Sequence, residues 1–117
     1  MLQTTDPKSD TTVIVTLRRE GFHQWPEAPA HRDYLRSSHR HLFTYRIGVR
    51  VTSTERQVEF HDLQGWLRVT VRHDWGASSC ESIAMHIAAH AKRNMYPTVA
   101  FVEVWEDDEV GARVEVS

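Results

Sequence analysis

The clearest pattern in the chain is a two-residue alternation over residues 41–52. Phe43, Tyr45, Ile47, Val49 and Val51 alternate with Thr44, Arg46, Gly48, Arg50 and Thr52. A strand sends successive side chains to opposite faces, so the first set is predicted to face a core and the second to face water. Carried backward, the same parity puts His39 and His41 on the side of Phe43. Upstream, residues 11–19 place Val13, Val15 and Leu17 on one side and Ile14, Thr16 and Arg18 on the other. That predicts a strand with both faces partly covered. Residues 21–38, with Gly21, Pro26 and Pro29, read as the longest irregular stretch. A loop of that length in a compact domain is often functional.

Downstream, residues 58–60 are a short apolar piece. Residues 66–72 alternate again, Leu67, Val69 and Val71 against Arg68, Thr70 and Arg72, which reads as a strand with a short helix as the alternative. Residues 73–79 contain Gly76 and read as a loop. Ser78 and Glu81 fit a capping box, in which the serine caps the first amides and the glutamate reaches back. Ile83, Ala84, Ile87, Ala88 and Ala91 then recur at helical spacing, so a helix is predicted from about residue 79 to 93, stopping before Pro97. Residues 98–106 form an apolar strand and residues 107–109 an acidic turn. Val110, Ala112, Val114 and Val116 alternate in a last strand, which makes the final two strands a hairpin. These elements predict one α+β domain over residues 11–117 behind a frayed polar tail at residues 1–10.

Composition narrows the function. The chain has 117 residues, 40% hydrophobic and 26% charged, which is globular rather than disordered. The net charge of −2 argues against nucleic acid or an anionic membrane surface as partner. No apolar run is long enough to span a bilayer. Residues 1–10 lack the apolar stretch of a secretory signal, so the cytoplasm is the expected compartment. The single cysteine, Cys80, excludes an internal disulfide and a cysteine-rich zinc site. The chain carries eight histidines, and their placement needs a reason.

His39-Arg40-His41 is the first candidate. Histidines at i and i+2 on a strand project side by side and suit two ligands of one metal. His23, at the end of the first strand, can supply a third, leaving a fourth position for water or substrate. Zinc is the first expectation, and copper, nickel and iron also accept imidazole. On spacing alone a polar strand end explains the pair more readily, since His-x-His occurs often by chance. His86 and His90, at i and i+4, share a helix face opposite Ile83 and Ile87. That spacing can bind metal, but no glutamate follows His86 as in metalloproteases, and a solvated helix face explains the pair better. Glu106 ends an otherwise apolar strand. It can accept two hydrogen bonds from an amidine-like ring edge, as in guanine or a pterin, or simply open the acidic turn. Cys80 reads as core or cap material rather than a nucleophile. Trp25, Trp66, Trp75 and Trp105 read as packing residues.

Taken in order, these features resemble the 6-pyruvoyl-tetrahydropterin synthase and 6-carboxytetrahydropterin synthase family of the tunnelling fold. Phe22-His23-Gln24-Trp25-Pro26 is similar to the family's first-strand end with its metal histidine. His39-Arg40-His41 stands for the family's His-Gly-His, and Val58-Glu59-Phe60-His61-Asp62-Leu63 for its hydrophobic-Asp-Phe-x-x-Leu. Residues 79–84 echo the Pro-Thr-x-Glu-Asn helix start, and Val102-Glu103-Val104-Trp105-Glu106 the Val-x-Val-x-Glu strand. The resemblance covers residues 12–116. It implies an α+β domain of ββααββ order, an antiparallel four-stranded sheet with helix packed on one face and the first helix shortened or replaced, a metal on His23, His39 and His41, Glu106 anchoring a pterin or purine ring, and a homo-oligomer. Three departures matter. Tyr34-Leu35-Arg36-Ser37-Ser38 holds no catalytic cysteine, and Cys80 sits elsewhere. The family's Asp-His pair is missing, since His73-Asp74 has the reverse order. Arg40 replaces the glycine of His-Gly-His. The expectation is a metal-binding protein that takes a small heterocyclic molecule. Whether it is an enzyme stays open, and a non-catalytic structural or interaction protein on the same scaffold is the alternative.

Overall fold

The computed structural model describes residues 10–117. The tail expected over residues 1–10 therefore lies outside the described residues, apart from Asp10, which is exposed before the first strand. In chain order the elements are strands β1 (Thr11–His23) and β2 (His39–Val51), helices α1 (Phe60–Thr70) and α2 (Cys80–Asn94), and strands β3 (Val99–Glu106) and β4 (Val110–Glu115). The strands form one antiparallel sheet in the order β1-β2-β3-β4. Both helices contribute to one core on a single face of it, so the architecture is the expected α+β. Among the described residues, no helix is long and apolar enough to cross a membrane.

Register obeys the alternation. Val15 lies opposite Ile47 and Leu17 opposite Tyr45, while Tyr45 and Ile47 lie opposite Val104 and Val102. Directly paired residues share a face, so these side chains make the core floor, and Leu63, Leu67, Ile83, Ile87 and Ala91 cover it. The other face is not simply wet. Thr44 is buried there, and buried Glu103 is held by Arg46, Arg113 and the Trp105 indole N–H.

Three expectations need correction. Residues 66–72 are not a strand: α1 runs through Thr70, with Leu63 and Leu67 buried one turn apart and Val69 81% exposed. The Leu67–Val71 spacing of four fits both periods, and the middle residue, Val69, proves to face water. The start signal was Glu59, whose carboxylate caps the amides of His61 and Asp62. The first strand is longer than residues 11–19 and reaches His23, so the irregular stretch shrinks to residues 24–38, with a short 3-10 helix at Ala30–Leu35. Finally, α2 is capped by Ser79, whose hydroxyl accepts from the Ser82 amide, and not by Ser78.

Candidate metal centre

The sheet register assembles the site. His23 pairs directly with His39, and Phe43 pairs with Glu106. By period two, His23, His39, His41 and Glu106 all project from the helix-covered face, next to the start of α2, where Cys80 reaches Glu106. Gly21 sits opposite His41, where an added Cβ would meet the Phe43 ring at 3.0 Å and the His73 carbonyl at 3.1 Å. Glycine there lets residues 73–76 pair against the end of β1, through Phe22 N–H to the His73 carbonyl and Trp75 N–H to the Phe22 carbonyl. That segment delivers Ser78 to the site.

The imidazoles of His23, His39 and His41 stand with ring centroids 4.6–5.1 Å apart. Their ligand nitrogens lie within 4.8 Å of one another. Among the described residues, this is the one group of three or more His, Cys, Asp or Glu ligand atoms close enough to hold a metal ion. Each ring is tethered through Nδ1. His23 Nδ1 donates to the Ser78 carbonyl at 2.9 Å, His39 Nδ1 to the Ser37 carbonyl at 3.0 Å, and His41 Nδ1 to Asp107 Oδ2 at 2.7 Å. Carbonyl and carboxylate oxygens only accept, so each Nδ1 carries its proton and each Nε2 is left as the ligand atom. His41 Nε2 is buried with no hydrogen-bond partner. An orphaned nitrogen beside two others is what a divalent cation satisfies. These residues fit a metal.

Glu106 borders the cluster, with Oε2 at 3.2 Å from His23 Nε2 and Oε1 at 3.5 Å from His41 Nε2. The Cys80 thiol donates to Oε2 at 3.3 Å. The His23 hydrogen bond holds the Glu106 carboxyl below its ordinary value against the opposing effect of burial. Burial disfavours charge on His23, but the Glu106 carboxylate and the Ser78 carbonyl outweigh it and raise His23. Burial and the Glu106 charge push the Cys80 thiol far up, so it is a neutral donor and no nucleophile. Beside these groups opens a cavity of about 400 Å³, whose walls include His39, Cys80, Glu106, Trp25, Leu35 and Val110.

The sequence candidates thus divide. His23, His39, His41 and Glu106 come together. His86 and His90 do not join them: they stack on each other at 6.4 Å, and His90 stacks on Trp66 at 5.8 Å. Asp74 is occupied in its own turn, accepting from Gly76 N–H. Sequence reasoning missed Asp107, though its place next to Glu106 in the turn facing β2 was a usable signal. The Ser37 and Ser78 carbonyls left no signal, because any residue supplies one. Compared with known proteins, the chain matches no family profile and no curated sequence.

Proposed function

We propose that this chain is a zinc-binding protein of the tunnelling-fold type that binds a pterin or purine-like heterocycle beside its three-histidine centre. The observation that carries the reading is the set of three imidazoles tethered at Nδ1, with the Nε2 atoms gathered and one of them buried without a partner. Zinc suits three neutral nitrogens better than a hard-cation alternative, and another divalent transition metal would use the same donors. The ββααββ order and the seating of Glu106 in the cavity wall support the rest. A planar ring entering past Trp25 meets a carboxylate able to accept from its amino and ring N–H groups. A metal held here supplies Lewis acidity toward a carbonyl or hydroxyl oxygen of the bound molecule. The chain's own residues bind and orient. Cys80 is neutral, and the Asp-His contact of this centre, Asp107 with His41, serves a metal ligand, so no acid-base relay like that of the resembling family is proposed.

One observation favours a second reading, a closed structural metal site. Metal–ligand bonds of about 2.0–2.1 Å in a tetrahedron set ligand atoms roughly 3.3 Å apart. The Glu106 oxygens lie at 3.2 and 3.5 Å from the His23 and His41 nitrogens, so Glu106 can serve as a fourth ligand. Titration of a fluorescent pterin into zinc-loaded and metal-free protein separates the two. Saturable binding by the loaded protein is expected, and tight zinc uptake without pterin binding would leave the structural reading.

A further inference from the structure

The turn between β3 and β4 is built in a way its sequence does not favour. Asp107 and Asp108 occupy its two central positions with φ of 53° and 57°, and Glu109 N–H closes it onto the Glu106 carbonyl at 3.0 Å. Both central residues are left-handed, as in the mirror-image hairpin turn that normally takes Asn-Gly. Aspartate tolerates that region less well than glycine, so two in succession call for a reason found outside the turn. The reason lies on β2. Asp107 bridges to β2 three times: its amide donates to the Leu42 carbonyl at 2.8 Å, its Oδ1 accepts from Leu42 N–H at 2.9 Å, and its Oδ2 accepts from His41 Nδ1 at 2.7 Å. Asp108 reaches the opposite face and accepts from the Thr44 hydroxyl at 2.6 Å.

We infer that Asp107 is the positioning residue of the metal centre. The left-handed turn exists to bring its carboxylate under His41, fixing that ring's tautomer and aim. The other two Nδ1 tethers are backbone carbonyls, so His41 is the one ligand held at Nδ1 by a replaceable side chain. A charged acceptor also makes the imidazole a stronger donor to a cation than a carbonyl does. This inference rests on the three-histidine metal reading.

The test measures zinc affinity by chelator competition in the parent chain and in Asp107→Asn, Asp107→Gly and Asp108→Gly, with thermal unfolding of each metal-free protein alongside. Asn and Gly both accept the left-handed backbone, so the turn survives in every variant. Asp107→Gly should lose 10- to 100-fold in zinc affinity, the usual effect of removing such a partner. Asp107→Asn, which keeps an oxygen acceptor but not the charge, should fall between. Asp108→Gly should bind as the parent does. The tautomer of metal-free His41, read from its ring nitrogen shifts, should be held at Nδ1–H in the parent and become mixed in Asp107→Gly. Parent-like affinity in Asp107→Gly, or equal loss in Asp108→Gly, would overturn the assignment. A parent chain that takes up no zinc would instead refute the metal centre itself.

Discussion

Replacing Glu106 by Gln keeps the side chain's size and removes its charge. Three groups surround the carboxylate: His23 Nε2 at 3.2 Å, the Cys80 thiol at 3.3 Å and, more distantly, His41 Nε2 at 3.5 Å. The amide retains one acceptor and turns the other oxygen into a donor, which faces a metal ligand or an incoming N–H with the wrong sign. If Glu106 anchors a heterocycle, two charge-assisted hydrogen bonds are compromised. Ring affinity should then fall by about 1.5–3 kcal/mol, tenfold or more. Zinc affinity should change little, because three nitrogens remain. If Glu106 is a fourth ligand, zinc affinity itself should drop at least tenfold. Fluorescent pterin titration and chelator competition on the same preparations read the two quantities separately. Unchanged pterin binding together with unchanged zinc binding would refute both roles for Glu106.

Other consequences are equally open to measurement. Leu67→Ala should cost about 2–5 kcal/mol because that side chain is fully buried, while Val69→Ala should stay within about 0.5 kcal/mol; equal losses in urea unfolding would contradict α1. His23 is raised, so its contribution to metal-free stability is complete below its ordinary 6.5 and fades as pH climbs through its folded value. Glu106 is lowered, so its contribution is present above its ordinary 4.5 and is lost as pH falls through its folded value. The pair therefore stabilises metal-free protein most between about pH 4.5 and 6.5, and Glu106→Gln should flatten that profile; superimposable profiles would refute the pairing. Zinc must displace the His23 proton, and that one proton alone should make uptake strengthen by about tenfold per pH unit below the folded His23 value. The oligomer implied by the family resemblance should appear in light scattering at micromolar concentration, and a monomer there would count against it.

Much of this molecule was legible because its sheet obeys period two over long stretches. The parity that makes Phe43, Tyr45 and Ile47 core carries unbroken to His41 and His39, and a strand cannot put one set inward without the other. The ladder then brings His23 and Glu106 to the same face. The illegible parts have local causes. Leu67, Val69 and Val71 satisfy strand spacing by coincidence, and only the Glu59 cap and Leu63 reveal the helix. Ser78 and Ser79 are adjacent candidates for one cap, and three-dimensional demand decides between them: Ser79 takes the helix, while the Ser78 carbonyl is needed by His23. Asp107 looked like turn filler because its task depends on a left-handed backbone that aspartate seldom adopts.

The central claim is that His23, His39 and His41 hold one metal ion. Elemental analysis of tag-free protein, purified without added metal, tests it most directly when paired with His39→Ala and His41→Ala. The account predicts close to one zinc or similar divalent ion per chain in the parent. It predicts loss of that ion in both variants, since two remaining nitrogens bind too weakly to survive purification. Metal content unchanged by both substitutions would contradict it.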